Sequence, residues 1–527
     1  MKQTMKHQSL LSGIKSLGIM LSLGLALASC TKDDVAQNPA TPNEEENKNL
    51  TTFVAGGENK TRTSMDYNSG DFYWEAGDYI YVKDDDGVLQ KSTNAPDQKV
   101  ASFNYKVPGK FTASSSYKLY YFGKNSSNNQ VVIPSAQSQS TPNNTEHFGV
   151  SGDYGTATAK KVTGKNQFVF ELEHQAAYLV FHPYVSNTLL QNCYLTKIEV
   201  SSDNDIASTY TLNASTGTLQ SVNTGAEADK EIILSTKGSG TYANGFPLNT
   251  ASDNVAVNGA YMVIKPGTHT LKVRYWLKDV STGIEGTVTK AFKAFNYDVN
   301  NYYDIDGNLN IRDYDGDHYY MWDAKEQYWK GHEWWSANKD QPVLNGNDNG
   351  NDPKDNNDSR WYNEGSGSSL NATQSCATLP NVNEMTWYAA YGEPRWDADE
   401  LWTTMGHLYK GGMWFKKKAV LQGEGHYNSN TAADGTDWRA TTARAEQTWP
   451  VSPSLPSAAD AGNYFYLPAL GTYAYGGLNY VGDEGVYWSS SASLWNSGSA
   501  YVLDFYSDGI DVGVYGCDAG YRVGGFE

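Results

Sequence analysis

The chain has 527 residues and a formal net charge of −19, with 59 acidic residues against 40 Lys and Arg. That balance excludes a nucleic-acid partner, whose phosphates need a basic face, and argues against binding to anionic membrane surfaces. Charged residues make up only 19%, while Gly, Tyr and Trp number 50, 38 and 15, a composition of strands joined by turns in a chain long enough for several domains.

Lys2, Lys6 and Lys15 surround and precede an apolar run from Ile19 to Ala28. The run is shorter than the roughly 20 apolar residues a spanning helix needs, so residues 1–29 read as a signal peptide. Leu27-Ala28-Ser29-Cys30 matches a lipobox, which implies cleavage before Cys30 and acylation of that cysteine. Removing residues 1–29 takes away three Lys and no acid, and the formal charge becomes −22. Thr31-Lys32-Asp33-Asp34 resembles the surface-export signal of lipoproteins in anaerobes of the Bacteroides type, which implies an outer-membrane, lipid-anchored protein facing outward. Residues 30–48 have almost nothing to bury and are expected to form a flexible tether.

From Leu50 to Ile311 short apolar segments are split by Gly, Asn, Ser and Asp. Phe72-Tyr73-Trp74, Tyr79 to Val82, Val131 to Ile133, Phe168 to Phe170, Ala177 to Phe181, Lys197 to Val200 and Leu271 to Tyr275 are examples, several with period two. The spacing predicts two β-sandwich units, residues 49–190 and 191–311. In order, Thr61-Arg62-Thr63-Ser64, Phe72-x-Trp74-x-x-Gly77-Asp78-x-Ile80-x-Val82, Phe170-x-Leu172-x-His174-Gln175-Ala176-Ala177-Tyr178-Leu179-x-Phe181, Ile264-x-Pro266-Gly267 and Phe295 leading into Tyr303-x-Ile305 resemble the fimbrillin family of lipoprotein-derived pilins. The resemblance implies proteolytic processing after a basic residue near the first strand, and Arg62 stands where that cut would fall. It also implies other pilin subunits as partners by donor-strand exchange, in which a neighbour's strand satisfies a vacated edge. Arg62 reads equally as an ordinary exposed loop residue.

Residues 312–360, rich in Asn, Asp and Gly, are expected to be a connector. Beyond Trp361 the composition turns to Trp, Tyr, Gly and Ser, with helical segments expected at Asn383 to Tyr391 and Asp397 to Leu408. Leu379-Pro380-Asn381-Val382-Asn383-Glu384-Met385-Thr386-Trp387, Phe465-Tyr466-Leu467-Pro468-Ala469-x-Gly471, Gly485-x-Tyr487-Trp488-Ser489-Ser490-Ser491, Ala500-Tyr501-x-Leu503-x-Phe505 and Gly520-Tyr521-Arg522-Val523 resemble the C-type-lectin-like fold shared with formylglycine-generating enzymes. The expected fold class is therefore mainly β: two fimbrillin-like β-sandwich domains followed by an α+β C-type-lectin-like domain over 361–527.

The enzymes of that resemblance need two nearby copper-binding cysteines, whereas this chain has Cys517 with Cys376 far off in sequence. Cys376 and Cys517 could pair in an oxidising compartment or both stay free. His174, His318, His332, His407 and His426 are too scattered for a metal or triad signature. His174 on an apolar strand reads as a core histidine, and Glu384 as a helix cap. Asp313 to Asp317 and the Asn/Asp run 345–358 lack the twelfth-position Glu of a calcium-binding loop and read as solvated turns. No catalytic residue, metal site or cofactor is expected.

A display surface remains. From Tyr480 to Ala519 framework residues alternate with small or polar ones, among which Asn496, Ser499, Asp504, Tyr506, Asp508, Asp511, Tyr515 and Asp518 are candidate ligand-binding residues. C-type-lectin-like domains of this kind are targets of diversity-generating retroelements, which randomise adenines in Asn codons. Between Val486 and Tyr521 only Trp488 and Trp495 lie outside the resulting residue set. Alternate strand positions are expected to face solvent, so that substitution is tolerated there. A Tyr-, Gly- and Ser-rich surface without a partner gives the same pattern. The sequence thus points to a pilus-tip adhesin binding an unidentified host or bacterial surface ligand, glycan or protein, or to a cell-surface-anchored binding lipoprotein not incorporated into pili.

Overall fold

A computed structural model describes residues 6–9, 50–56, 64–68, 72–124, 129–213, 218–222, 226–364 and 371–527. Cys30 and Arg62 lie outside the described residues. The architecture is mainly β, as the composition predicts, and no helix among the described residues is long and apolar enough to cross a membrane.

The first sheet runs in the order Leu89–Lys91, Tyr81–Lys83, Ser116–Tyr121, Gly155–Lys161, Gln167–Phe170, Leu50–Ala55 and Phe103–Pro108. Leu50–Ala55 is an interior strand, parallel to Gln167–Phe170 on one side and antiparallel to Phe103–Pro108 on the other. Its burial alternates, so Thr51, Phe53 and Ala55 face the core, where the Phe53 ring stacks on Phe168 at 5.1 Å. The Gly77-Asp78 turn uses the left-handed backbone of Gly77, at φ 80°, to bring the Asp78 carboxylate inward. There Asp78 accepts from the Glu75 amide at 2.7 Å and the Tyr121 hydroxyl at 2.9 Å, which satisfies a fully buried acid.

A second sandwich follows. One of its sheets places Ala177–Phe181 between Asn301–Ile305 and Ala260–Ile264. Ala177–Phe181 is buried at all five positions, because both of its faces are covered. It therefore belongs to the second unit, and the expected boundary at 190 moves to a point before Ala177. Gln130–Ile133 and Ala136–Ser138 also leave the first unit, pairing with Ser208–Asn213 and Glu231–Ser235. Lys6–Ser9, within the expected signal peptide, pairs along Asn301–Asp304. The opposing sheet is built on the long strands Cys193–Ser202, Gly267–Asp279 and Glu285–Tyr297, whose inward residues Ile198, Val200, Leu271, Val273 and Tyr275 are fully buried.

That second sheet does not stop at the unit's edge. Thr287 of Glu285–Tyr297 bridges Glu400 of Arg395–Thr404, and the sheet continues through His407–Lys416 to Tyr464–Pro468. The segment expected as a helix from Asp397 to Leu408 is thus a strand followed by a turn. Its Ala, Glu and Leu favour a helix, but hydrogen-bonding edges on both sides override that preference. Residues 312–360 are not a mere connector either. Tyr314, Tyr319, Met321, Tyr328 and Trp329 are buried in one core with Met385, Leu467 and Tyr487, because large aromatic groups left in water would forgo their burial energy.

Candidate functional site

The C-terminal head hangs on one helix, Val382–Tyr391. Asn381 caps it by accepting from the Glu384 amide, and Glu384 reaches back to accept from the Asn381 amide at 2.8 Å. Glu384 is therefore one half of a capping box. The helix buries Val382, Met385, Tyr388 and Ala389 in a core shared with the sheet formed by Gly485–Ala492, Ser499–Phe505 and Gly509–Gly516.

Ser499–Phe505 is the middle strand, and it is buried at all seven positions. Tyr501, Leu503 and Phe505 face the helix side, while Ala500 and Val502 enter a second core with Trp322, Cys376, Val486, Trp488 and Cys517. The expectation that alternate positions here face solvent is corrected: Ser499 is 7% exposed and Asp504 is fully buried. The cover comes from residues distant in sequence. Buried Asp323 accepts from the backbone amides of Thr373 and Gln374 at 2.8 and 2.6 Å and from the Asn363 side chain at 2.9 Å, tying Asn363 and the segment from Thr373 to Cys376 across this face.

The candidate ligand-binding residues fall into three places. Asp504, Tyr506 and Tyr515 gather with Glu484 in one patch, and Asp511 lies beside them with its Oδ1 buried and unpaired. The Tyr515 hydroxyl donates to Asp504 Oδ2 at 2.6 Å, the Tyr506 hydroxyl donates to Glu484, and Asp511 stands directly across from Asp504. Burial pushes the Asp504 carboxyl up to about 7, with the Glu484 and Asp511 charges adding to it and the Tyr515 hydrogen bond opposing it. Burial raises Glu484 as well. Asp504 is thus placed to hold a proton up to near neutrality. Asn496 and Asp508 lie exposed in the turns at either end of the middle strand, and the Asn496 side chain accepts from the Gly498 amide at 3.1 Å.

Asp518 sits apart, in a cleft of about 460 Å³ whose wall includes Asp352, Lys354, Trp361, Tyr475 and Tyr521. Sequence reasoning missed these five residues as a group, since they come from three distant segments. The one local signal was Tyr475-Gly476 in a two-residue hairpin turn. A second cleft, of about 350 Å³, opens where the head meets the base, between Lys272, Arg274, Asp397, Trp414, Lys417 and Tyr464.

Other chemistry is quiet. Cys193, Cys376 and Cys517 are free and buried, and burial pushes the Cys193 and Cys376 thiols up to about 12, far from a reactive thiolate. His174 is a core residue whose Nδ1 lies 2.9 Å from Asp153. Among the described residues, Asp315, Asp317 and His318 form the one group of three that could converge on a metal ion, in a partly exposed turn where His318 already contacts both acids.

No family model matches the chain, and no curated protein matches it. It is similar to solved structures that include a fimbrial protein from Bacteroides ovatus, at 11% identity and a TM-score of 0.24 over 90% of this chain and 97% of that one. Another is a fimbrial anchor protein from Porphyromonas gingivalis, at 14% identity and a TM-score of 0.22 over 45% of this chain and 80% of that one. At such TM-scores the likeness is one of outline, and it assigns no function.

Proposed function

We propose that the chain is a non-enzymatic surface adhesin, exported to the outer membrane as a lipoprotein acylated at Cys30, then cut after Arg62 and incorporated at a pilus tip. A fimbrillin-like base accepts a donor strand, and the head binds a glycan or protein on a host or bacterial surface. The observation that carries this reading is the position of Leu50–Ala55. It lies inside the first sheet with hydrogen-bonded neighbours on both sides and with Phe53 and Ala55 in the core, ahead of the Arg62 cleavage candidate. Cutting after Arg62 and releasing that strand bares the inner edges of Phe103–Pro108 and Gln167–Phe170 together with the Phe53 pocket. An extended peptide from another subunit satisfies both edges and refills the pocket.

N-terminal analysis of the protein taken from cells tests the reading: a start at Thr63 supports pilus incorporation. A second reading, a binding lipoprotein that stays on the cell surface outside pili, is favoured by the uncut strand, which closes the first sheet so that it accepts nothing. An acylated Cys30 on all of the protein selects that reading and removes the tip assignment.

A further inference from the structure

The hairpin Thr472–Ala474 and Gly477–Asn479 turns through two residues, Tyr475 and Gly476, both with positive φ, 51° and 82°. Two-residue turns of this kind favour Asn-Gly, because a left-handed backbone strains residues with bulky side chains. Tyr475 accepts the strain and receives nothing visible in return. Its side chain is 88% exposed and makes no hydrogen bond or ring contact with the described residues.

The turn is held in place rather than loose. The Asn349 amide donates to the Gly476 carbonyl at 3.1 Å, the Gly346 amide donates to the Leu478 carbonyl at 2.9 Å, and Asp348 bridges Gly477. A Cβ on Gly476 would come within 1.9 Å of the Asn349 carbonyl oxygen. The fold therefore fixes an aromatic ring in water at the rim of the 460 Å³ cleft. Strain held by its surroundings and unrewarded within the chain points to a role outside it.

We propose that this cleft is a saccharide-binding site, in which a neutral sugar ring lies against Tyr475 and the Asp352 and Asp518 carboxylates accept its hydroxyls. The proposal names the ligand class for the head, and so rests on the reading of the head as a binding domain. The wall explains the class. Tyr475, Trp361 and Tyr521 put three aromatic residues into the lining, and exposed Tyr475 is free to lay its ring on the C–H face of a sugar. The indole N–H of Trp361 is taken by Glu364 at 2.8 Å, which leaves its ring as the contact surface. Asp352 is nearly buried and contacts the Lys354 ammonium, while Asp518 is exposed. Two carboxylates and one ammonium leave the rim acidic, which disfavours uronates and sulfated sugars.

Saturation-transfer NMR on the full chain tests the site, using the methyl glycosides of glucose, galactose, mannose and N-acetylglucosamine with glucuronate as the anionic control. At least one neutral glycoside should bind with millimolar or better affinity, and Tyr475→Asn and Asp518→Asn should each weaken it by about tenfold. Because Tyr475→Asn restores an Asn-Gly turn, the melting temperature should hold or rise while binding falls, which separates lost contact from lost fold. Absence of binding by all four glycosides, or binding unchanged in both variants, overturns the proposal. Sugar binding by a chain that keeps an acylated Cys30 would retain the site and remove only the pilus assignment.

Discussion

Arg274 of the second sandwich donates through Nη2 to Asp397 of the head at 2.9 Å, with both side chains more than nine-tenths buried. Around this pair, Trp414 Nε1 donates to the other Asp397 oxygen at 3.2 Å. Glu400 accepts from the Thr289 amide and hydroxyl at 3.0 and 2.6 Å and from the Thr287 hydroxyl at 3.1 Å. Base and head are thus joined by a buried polar network along a shared sheet edge, and a force on the head loads the base directly.

Asp397→Ala should leave the Arg274 guanidinium buried without its main partner and destabilise the junction by about 3–5 kcal/mol. Calorimetry should then resolve separate melting of head and base where the native chain unfolds them together. A single unchanged transition would show that the network does not couple the two parts.

Much of the β architecture was legible in the sequence. Leu271 to Tyr275 alternates in the sequence as it does in the sheet, and Gly77-Asp78 marks a real turn. What was not legible was non-local. Asp397 to Leu408 carries helix formers, and it becomes a strand by pairing with Glu285–Tyr297, far away in sequence, and with its hairpin partner His407–Lys416. Ala500, Tyr501, Val502, Leu503 and Asp504 read as a strand with one wet face, and nothing nearby announces that Trp322 and Cys376 will cover it. Asp504, read as an exposed contact, is instead a buried acid held by Tyr515 from the neighbouring strand. Tyr475 escaped notice because its strain is a property of the backbone, not of its residue type.

The buried acid gives a pH signature. Asp504 has a folded value raised from 3.8 to about 7, so between those limits the folded chain holds a proton that the unfolded chain has lost. The stability from this group is complete below about pH 4 and disappears as pH rises through about 7. Asp504→Asn keeps an oxygen for Tyr515 but removes the titration. The melting temperature of the variant relative to the native chain should therefore climb from about pH 5 to about pH 8, and subtraction cancels the histidines that titrate elsewhere. A difference flat across that range would mean that Asp504 is not held as described.

The last prediction concerns how the head varies between isolates. If adenine-directed diversification acts on 480–519, selection still filters its products through the fold. Val502 and Asp504 are fully buried, and a random polar or bulky replacement there leaves an unpaired group or an overpacked core, at a cost of about 1–3 kcal/mol each. Asn496, Ser497 and Asp508 are exposed and Asp511 is half-buried, and substitution at these positions costs the fold little, whereas Tyr506 and Tyr515 donate to the buried acids Glu484 and Asp504. Sequencing the gene across isolates of one strain should find differences denser in 480–519 than in 361–420, concentrated at the codons of Asn496, Ser497, Asp508 and Asp511 and sparse at Val502 and Asp504. Asp518, at the sugar cleft, lies just inside the varied stretch, whereas Tyr475 lies before it, so ligand preference would shift while the aromatic platform stays constant. Differences spread evenly over both stretches would remove the diversification idea. Differences dense at 502 and 504 would instead mean that the loops covering that strand can open.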